Sequence, residues 1–154
     1  MTTFRYSSLL HFIEMNHCIV SYIRRQYMGL LSQLTEVEPI SDDDFMQKVR
    51  AISKMGNIVI CYVEDEIPIF VATGTVIFEP KLIRGGAPVA HIEDIVVHRD
   101  YRGRGISTTI LGKLVELAHC KECYKVILDC REELETVYER AGFEKRGSQM
   151  ALYF

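Results

Sequence analysis

The stretch His91–Ser107, HIEDIVVHRDYRGRGIS, joins a β-branched run that ends at Val97 to a turn punctuated by Gly103 and Gly105, and an apolar helical pattern opens at Ile106. Strand, glycine loop and helix in that order open a β-loop-α unit. Two glycines permit positive φ and close backbone approach, so several N–H groups can converge on one anion, and the helix N-terminus adds partial positive charge. Arg99, Arg102 and Arg104 add formal charge. The combination predicts a phosphate or pyrophosphate site. Taken alone, such a loop is as readily a structural turn. It lacks the Gly-Lys-Ser/Thr of a Walker loop and the third glycine and later acid of a dinucleotide fingerprint.

Upstream, Asn57–Glu64 and Pro68–Glu79 read as strands joined by a turn at Asp65-Glu66, and Val89–Val97 follows the loop PKLIRGGAP. Before them, Leu9, Phe12, Ile13, Ile19, Ile23, Tyr27, Leu30 and Leu34 recur at helical spacing, with Gly29 as a candidate bend. Ser41 followed by Asp42, Asp43 and Asp44 caps a second helix that stops at Gly56. Downstream come a helix to His119, the apolar strand Lys125–Asp129, a helix from Glu132 to Ala141 ended by Gly142, and a last strand toward Phe154. Hairpins followed by β-loop-α-β-α-β predict an α/β (α+β) fold, a central mixed and mostly antiparallel sheet with helices on both faces. Because Met1–Leu34 reads helical, with at most a short extended piece near Phe4–Tyr6, the first strand is expected to be absent or replaced by helix.

A chain of 154 residues, 48% hydrophobic, is sized for one domain, residues 1–154. Eighteen basic against twenty-one acidic side chains, a net charge of −3, argue against a nucleic-acid or membrane-surface binder. No apolar run nears the roughly 20 residues of a membrane helix, and Glu14, Asn16 and His17 interrupt the N-terminal patch. Five cysteines, an odd count, suit reduced thiols in the cytoplasm. Cys120 and Cys123 form a C-x-x-C pair without a second ligand pair, and His11 and His17 are misplaced for one helical face, so no metal is expected.

The segment RGRGIS, Arg102 to Ser107, resembles the Q/R-x-x-G-x-G/A signature of the GNAT acetyltransferase superfamily, with Ser107 at the place of the last Gly or Ala. Within it, HIEDIVV, the YRGRG loop, CYKVILDC (Cys123–Cys130), VYERAGFE (Val137–Glu144) and Gln149-Met150 resemble the glucosamine 6-phosphate N-acetyltransferases, as do Leu34-Thr35 and Lys81-Leu82-Ile83-Arg84 more weakly. The resemblance runs from about Leu34 to Met150. It implies acetyl transfer from acetyl-CoA to the amine of glucosamine 6-phosphate, a step toward UDP-N-acetylglucosamine, by direct attack in a ternary complex and without metal.

It also implies roles, residue by residue. Backbone of Ile95, Val96 and Val97 pairs with the pantetheine arm, and Arg102, Gly103, Arg104, Gly105, Ile106 and Ser107 wrap the pyrophosphate. Asp129, Cys130 and Arg131 touch the cofactor; Asp129 orients or deprotonates the amine, and Tyr138 offers its hydroxyl to the departing thiolate. Thr35, Glu93, Asp94 and Ile95 bind the sugar, and Lys81, Leu82, Ile83, Arg84, Tyr124 and Lys125 bind the sugar and its phosphate.

Against these stand plainer readings of the same residues. Glu93 and Asp94 break an apolar strand and, as neighbours on it, should face opposite sides, so at least one needs a buried partner or a structural ion pair. Asp129 could cap the helix near Glu132, Tyr138 could be core, and Lys81, Arg84 and Lys125 could be solvated surface. His91 reads as a packed or hydrogen-bonded histidine rather than a base. Two other functions compete: acetyl transfer to another amine, such as a peptide N-terminus or a polyamine, and a non-catalytic acyl-CoA-binding module. The resemblance further implies a homodimer with mingled C-terminal strands, and the nearly wholly apolar Met150–Phe154 agrees with it. The family's basic residue near the C-terminus is missing from Ala151–Phe154.

Overall fold

In the computed structural model, which describes residues 2–154, five strands form one sheet in the order β1-β2-β3-β4-β5. They are β1 (Phe4–Ser8), β2 (Gly56–Val63), β3 (Ile69–Glu79), β4 (Val89–Val97) and β5 (Lys125–Leu128). The first three junctions are antiparallel and β4–β5 is parallel. The parallel junction is bridged by α4 (Ile106–Cys120), the crossover a parallel pair requires. The mixed, mostly antiparallel sheet read from the sequence is the one observed.

Helices α1 (Leu9–Met15), α2 (Val20–Leu31) and α3 (Asp42–Met55) bury Leu9, Phe12, Ile23, Leu30, Phe45 and Val49 against Ile58, Ile60 and Phe70. On the other face, Ile106, Ile110, Leu111 and Leu114 of α4 meet Val59, Cys61, Val76 and Ile92, and Tyr138 of α5 (Glu135–Arg140) packs at the margin of that cluster. β2 divides its side chains strictly between the two cores, as the two-residue period of a strand demands.

The N-terminal reading needs correction. Phe4–Ser8 is a strand, paired from Phe4↔Val63 to Ser8↔Val59, so the sheet has its first strand. Phe4 and Tyr6 alternate onto the α4 side, too short a pattern to stand out beside the helical run that follows. Ser8 then caps α1 by accepting from the His11 N–H at 3.3 Å. The helix breaks at Asn16, whose amide donates to the Phe12 carbonyl at 2.8 Å, and a 3₁₀ turn, His17–Ile19, leads into α2. Gly29 lies inside α2 and ends nothing. Ser41 does cap α3, accepting from the Asp44 N–H at 3.1 Å.

Two elements near the C-terminus also differ. The Glu132–Ala141 helix starts as a 3₁₀ turn, Glu132–Leu134, before α5. The last strand is not formed. Gly142 and Gly147 hold φ of 91° and 79°, which turns the chain out of extended geometry, and Met150, Leu152, Tyr153 and Phe154 stand exposed.

One irregularity positions everything that follows. Thr73 pairs with Val96 and Thr75 with Glu93, so Asp94 and Ile95 together oppose Gly74 alone. This is a β-bulge, with Asp94 in the left-handed region at φ 53°. Aspartate tolerates that conformation better than most side chains. Gly74 is required by space: a Cβ there would lie 2.8 Å from Ile110 Cγ2 and 2.9 Å from Leu114 Cδ1. Gly74→Val should therefore destabilise the fold by about 1–3 kcal/mol through overpacking, a loss of several degrees in Tm by calorimetry. An unchanged Tm would mean that α4 does not press on the strand there.

Candidate active site

Among the described residues, β4 and β5 pair only from Val89↔Lys125 to Ile92↔Leu128. Past Ile92 the two strands part, which leaves the outer backbone edge of Glu93–Val97 without a strand partner while its inner edge stays on β3. Backbone groups on such an edge remain available for an extended ligand. The edge leads to the glycine loop. His98 accepts from the Asp100 N–H and starts the 3₁₀ turn Arg99–Tyr101. Gly103 and Gly105 then take φ of 74° and 75°, and Gly105 is the N-cap of α4 with no side chain closing the helix end. Arg102 donates to the Val97 carbonyl at 3.1 Å, and Arg104 to the Asp100 carbonyl at 3.3 Å while lying over the Tyr101 ring. The first-turn N–H groups at Ile106 and Ser107 thus point from an uncapped helix end with Arg102 and Arg104 around it, a geometry able to accept an anion.

On the far side of the gap, Asp129, Cys130 and Tyr138 line one cleft of about 680 Å³, with Phe143 and Gln149. Gln149 donates to Asp129 Oδ2 at 3.2 Å, so Asp129 is held by the C-terminal segment and does not cap the turn at Glu132. Arg131 is the exposed N-cap residue of that turn. Tyr138 is half-buried beside Phe143, and burial, with the nearby Cys130 thiol, pushes its hydroxyl above the ordinary tyrosine range. Cys130 is raised as well, by desolvation and then by Glu135 and Asp129, so it stays a thiol and is a poor nucleophile.

The register assigns faces. Thr75↔Glu93, Ile77↔His91↔Ile127 and Glu79↔Val89↔Lys125 share the face turned away from α4. Asp129, two residues past Ile127, continues that row. The carboxyl of Glu93 is raised by desolvation, then by Asp94 and Asp129, and is drawn down by His91. Contrary to the expectation of opposite sides with one buried, Glu93 and Asp94 are both exposed, because the bulge interrupts the alternation.

Arg84 and Lys125 both lie over the Tyr124 ring, 5.8 and 5.7 Å from its centroid, and the Tyr124 N–H is tied to the Pro88 carbonyl at 3.1 Å. Lys81 is ion-paired with Glu79, and Leu82 and Ile83 project into solvent. This basic cluster sits at the start of β4. Thr35 follows α2, where the neighbouring Gln33 accepts from the Arg99 N–H at 3.0 Å, so it lies at the other end of β4 and is not brought to the cluster within one chain.

Three contributors escaped the sequence reading. The bulge has no glycine of its own to betray it. Tyr27 was counted only as helical core; it is buried, and desolvation followed by Asp94 pushes its hydroxyl up to about 12 while Thr73 and Thr75 hydrogen-bond to it beneath the bulge. Glu79 ends an apolar strand, and its partners, Lys81 and His91, follow only from the register.

Residues 23–143 match the Acetyltransferase (GNAT) family. The chain belongs to this family. It is 37% identical over 139 residues to the glucosamine 6-phosphate N-acetyltransferase of Arabidopsis thaliana, covering 88% of this chain and 92% of that one. It is 36% identical over 134 residues to glucosamine 6-phosphate N-acetyltransferase 1 of Oryza sativa subsp. japonica, covering 86% and 81%. A crystal structure of glucosamine-6-phosphate N-acetyltransferase from Arabidopsis thaliana superposes with a TM-score of 0.85 over 99% of both chains at 30% identity. Membership makes this chain an acetyltransferase.

Replacing Gly103 and Gly105 together by Val forces β-branched residues into positive φ, on the order of 1–3 kcal/mol of strain each. The Kd for coenzyme A, measured by calorimetry on a variant whose circular dichroism is unchanged, should rise at least tenfold. An unchanged Kd would remove the loop from the cofactor site.

Proposed function

We propose that this chain transfers the acetyl group of acetyl-CoA to the amine of D-glucosamine 6-phosphate, giving N-acetylglucosamine 6-phosphate and CoA, as a step toward UDP-N-acetylglucosamine. The observation that carries the proposal is the outer edge of β4 beyond Ile92, which runs from a carboxylate cluster to an uncapped, arginine-flanked helix end. These residues fit the cofactor: the extended edge of Ile95–Val97 suits a pantetheine arm, and the positive-φ loop at Arg102–Ser107 suits a pyrophosphate. When bound, acetyl-CoA supplies the activated thioester.

The chain's own groups supply the rest. A backbone N–H in the bulge near Ile95 polarises the thioester carbonyl. Asp129, fixed by Gln149, with Glu93 and Asp94, receives and orients an ammonium. Tyr138, a phenol protonated at neutral pH and pushed further up by burial, donates to the departing thiolate. Arg84 and Lys125, set on Tyr124, suit a phosphate. Acid beside base on one sheet face favours an acceptor that is both an amine and an anion over a polyamine, which calls for acid alone.

Two further readings belong to the proposal. The exposed Leu82, Ile83, Met150, Leu152 and Phe154 favour a homodimer that covers them. The five free cysteines favour the cytoplasm.

The test is thiol release from acetyl-CoA across a panel of amino sugars, with and without 6-phosphate. Turnover should be largest with glucosamine 6-phosphate, and Tyr138→Phe should lower the single-turnover rate by about 10²-fold with the Kd for CoA little changed. Because Tyr138 is raised, no alkaline loss of rate from it should appear below pH ~10. A preference for unphosphorylated amines, or a Tyr138→Phe variant as fast as the parent, would contradict the assignment. Sedimentation of the same sample should give twice the chain mass; an active monomer would exclude the dimer.

A further inference from the structure

The sheet face turned away from α4 carries a row of charge that extends past the acceptor carboxylates. Glu79, at the end of β3, receives Lys81 Nζ on one carboxylate oxygen and His91 Nε2 on the other. His91 stands opposite Ile77 and Ile127, two residues before Glu93 and on the same face, about 7 Å away along the strand. The row therefore runs Lys81, Glu79, His91, Glu93, Asp129. From the elements around His91, the charged or titratable groups are Glu79 on β3, Lys81 after it, Glu93 on β4 and Lys125 and Asp129 along β5, with Tyr27 of α2 turned toward Thr73 and Thr75.

Chemistry fixes the direction of the hydrogen bond between Glu79 and His91. Hydrogen bonds from Lys81 and His91 hold the Glu79 carboxyl below the usual carboxylate range, so at neutral pH it only accepts. His91 Nε2 must then be the donor, and in the neutral ring Nδ1 is left as a proton acceptor. An imidazole oriented by a carboxylate, with its other nitrogen free, is the arrangement used to receive protons.

Acetyl transfer to an ammonium needs such a receiver. As the N–C bond forms and the C–S bond breaks, nitrogen passes from three protons to one. Of the two it gives up, one ends on the sulfur of CoA by way of Tyr138, and the other must reach solvent. Glu93 and Asp129 are two carboxylates in one site, and one of such a pair readily accepts a proton. A proton left there would block the next amine.

We propose that His91, oriented by Glu79, is the outlet for that second proton: the Glu93–Asp129 pair takes it from the amine, His91 Nδ1 receives it from Glu93, and water takes it from His91. His91 acts through Glu93 and Glu79 acts through His91, so both are positioning residues for the proton path rather than substrate contacts. The inference rests on the acetyl-transfer reading above.

The test compares wild type, His91→Ala, His91→Gln and Glu79→Gln in multiple-turnover acetyl transfer to glucosamine 6-phosphate, with and without added imidazole. Wild type should turn over. His91→Ala should be slower by roughly tenfold or more, with the KM for the sugar and the Kd for CoA within about threefold of wild type, and imidazole should restore much of the rate. His91→Gln, which keeps a donor to Glu79 and most of the ring's volume, should be equally slow and unrescued; Glu79→Gln should fall between. A wild type inactive on the sugar phosphate removes the acetyl-transfer reading and this inference with it. A wild type that works beside a His91→Ala variant equally fast, or slow but unmoved by imidazole, removes the inference alone. Should His91→Ala fail to fold, a fast His91→Gln overturns it.

Discussion

The constraint on which the rest depends is the parting of β4 from β5 after Ile92. A sheet that kept its pairing to Val97 would satisfy every backbone group and offer none to a ligand. Two local causes prevent this. β5 ends at Leu128, and β4 carries one residue more than β3 can oppose, so its twist changes at Asp94-Ile95. The extra residue is accommodated because Gly74 lets Ile110 and Leu114 of α4 settle directly on the strand. The core packing of α4 and the exposure of the β4 edge are thus one arrangement: the helix with the uncapped, arginine-flanked N-terminus is the helix that presses on the bulge.

Charge is then distributed along β4 by register alone. Arginines gather at its C-terminal end around a helix start, carboxylates in its middle, and Arg84 and Lys125 at its beginning on Tyr124. Each zone needs its neighbour. Desolvation, then Asp94 and Asp129, push the Glu93 carboxyl up, and His91 draws it down. Tyr27, buried under the bulge against Thr73 and Thr75, ties the helical layer to the same spot. The Cys130 thiol beside Tyr138 is raised by desolvation first and then by Glu135 and Asp129, which leaves it a poor nucleophile.

Most of this fold was legible where one period dominates a long window. β4 was read as Val89–Val97, its observed bounds, because its nine residues run apolar and mostly β-branched apart from His91, Glu93 and Asp94; α3 was marked by Ser41 and three aspartates. The glycine loop was legible because positive φ has a residue signature. What escaped lacks one. Asp94 takes a left-handed conformation without glycine, β1 is five residues beside a stronger helical pattern, and the pairing of Glu79 with His91 depends on a register no single strand contains. The residues after Gly142 were read as a last strand toward Phe154, yet such a segment becomes a strand only where an edge receives it. Of the candidate site, Asp129, Cys130 and Tyr138 were brought together as the resemblance implied, whereas Thr35 and the Lys81–Arg84 segment lie at opposite ends of β4.

Amide hydrogen exchange with and without coenzyme A tests the central claim most directly. If the unpaired edge of β4 and the loop after it receive the cofactor, the amides of Glu93–Val97 that do not pair with β3, together with those of Arg102–Ser107, will slow at least tenfold at saturating ligand, while those of β1 and β2 keep their rates. Coenzyme A that binds yet leaves both segments exchanging as before would place the cofactor elsewhere and contradict the site described here.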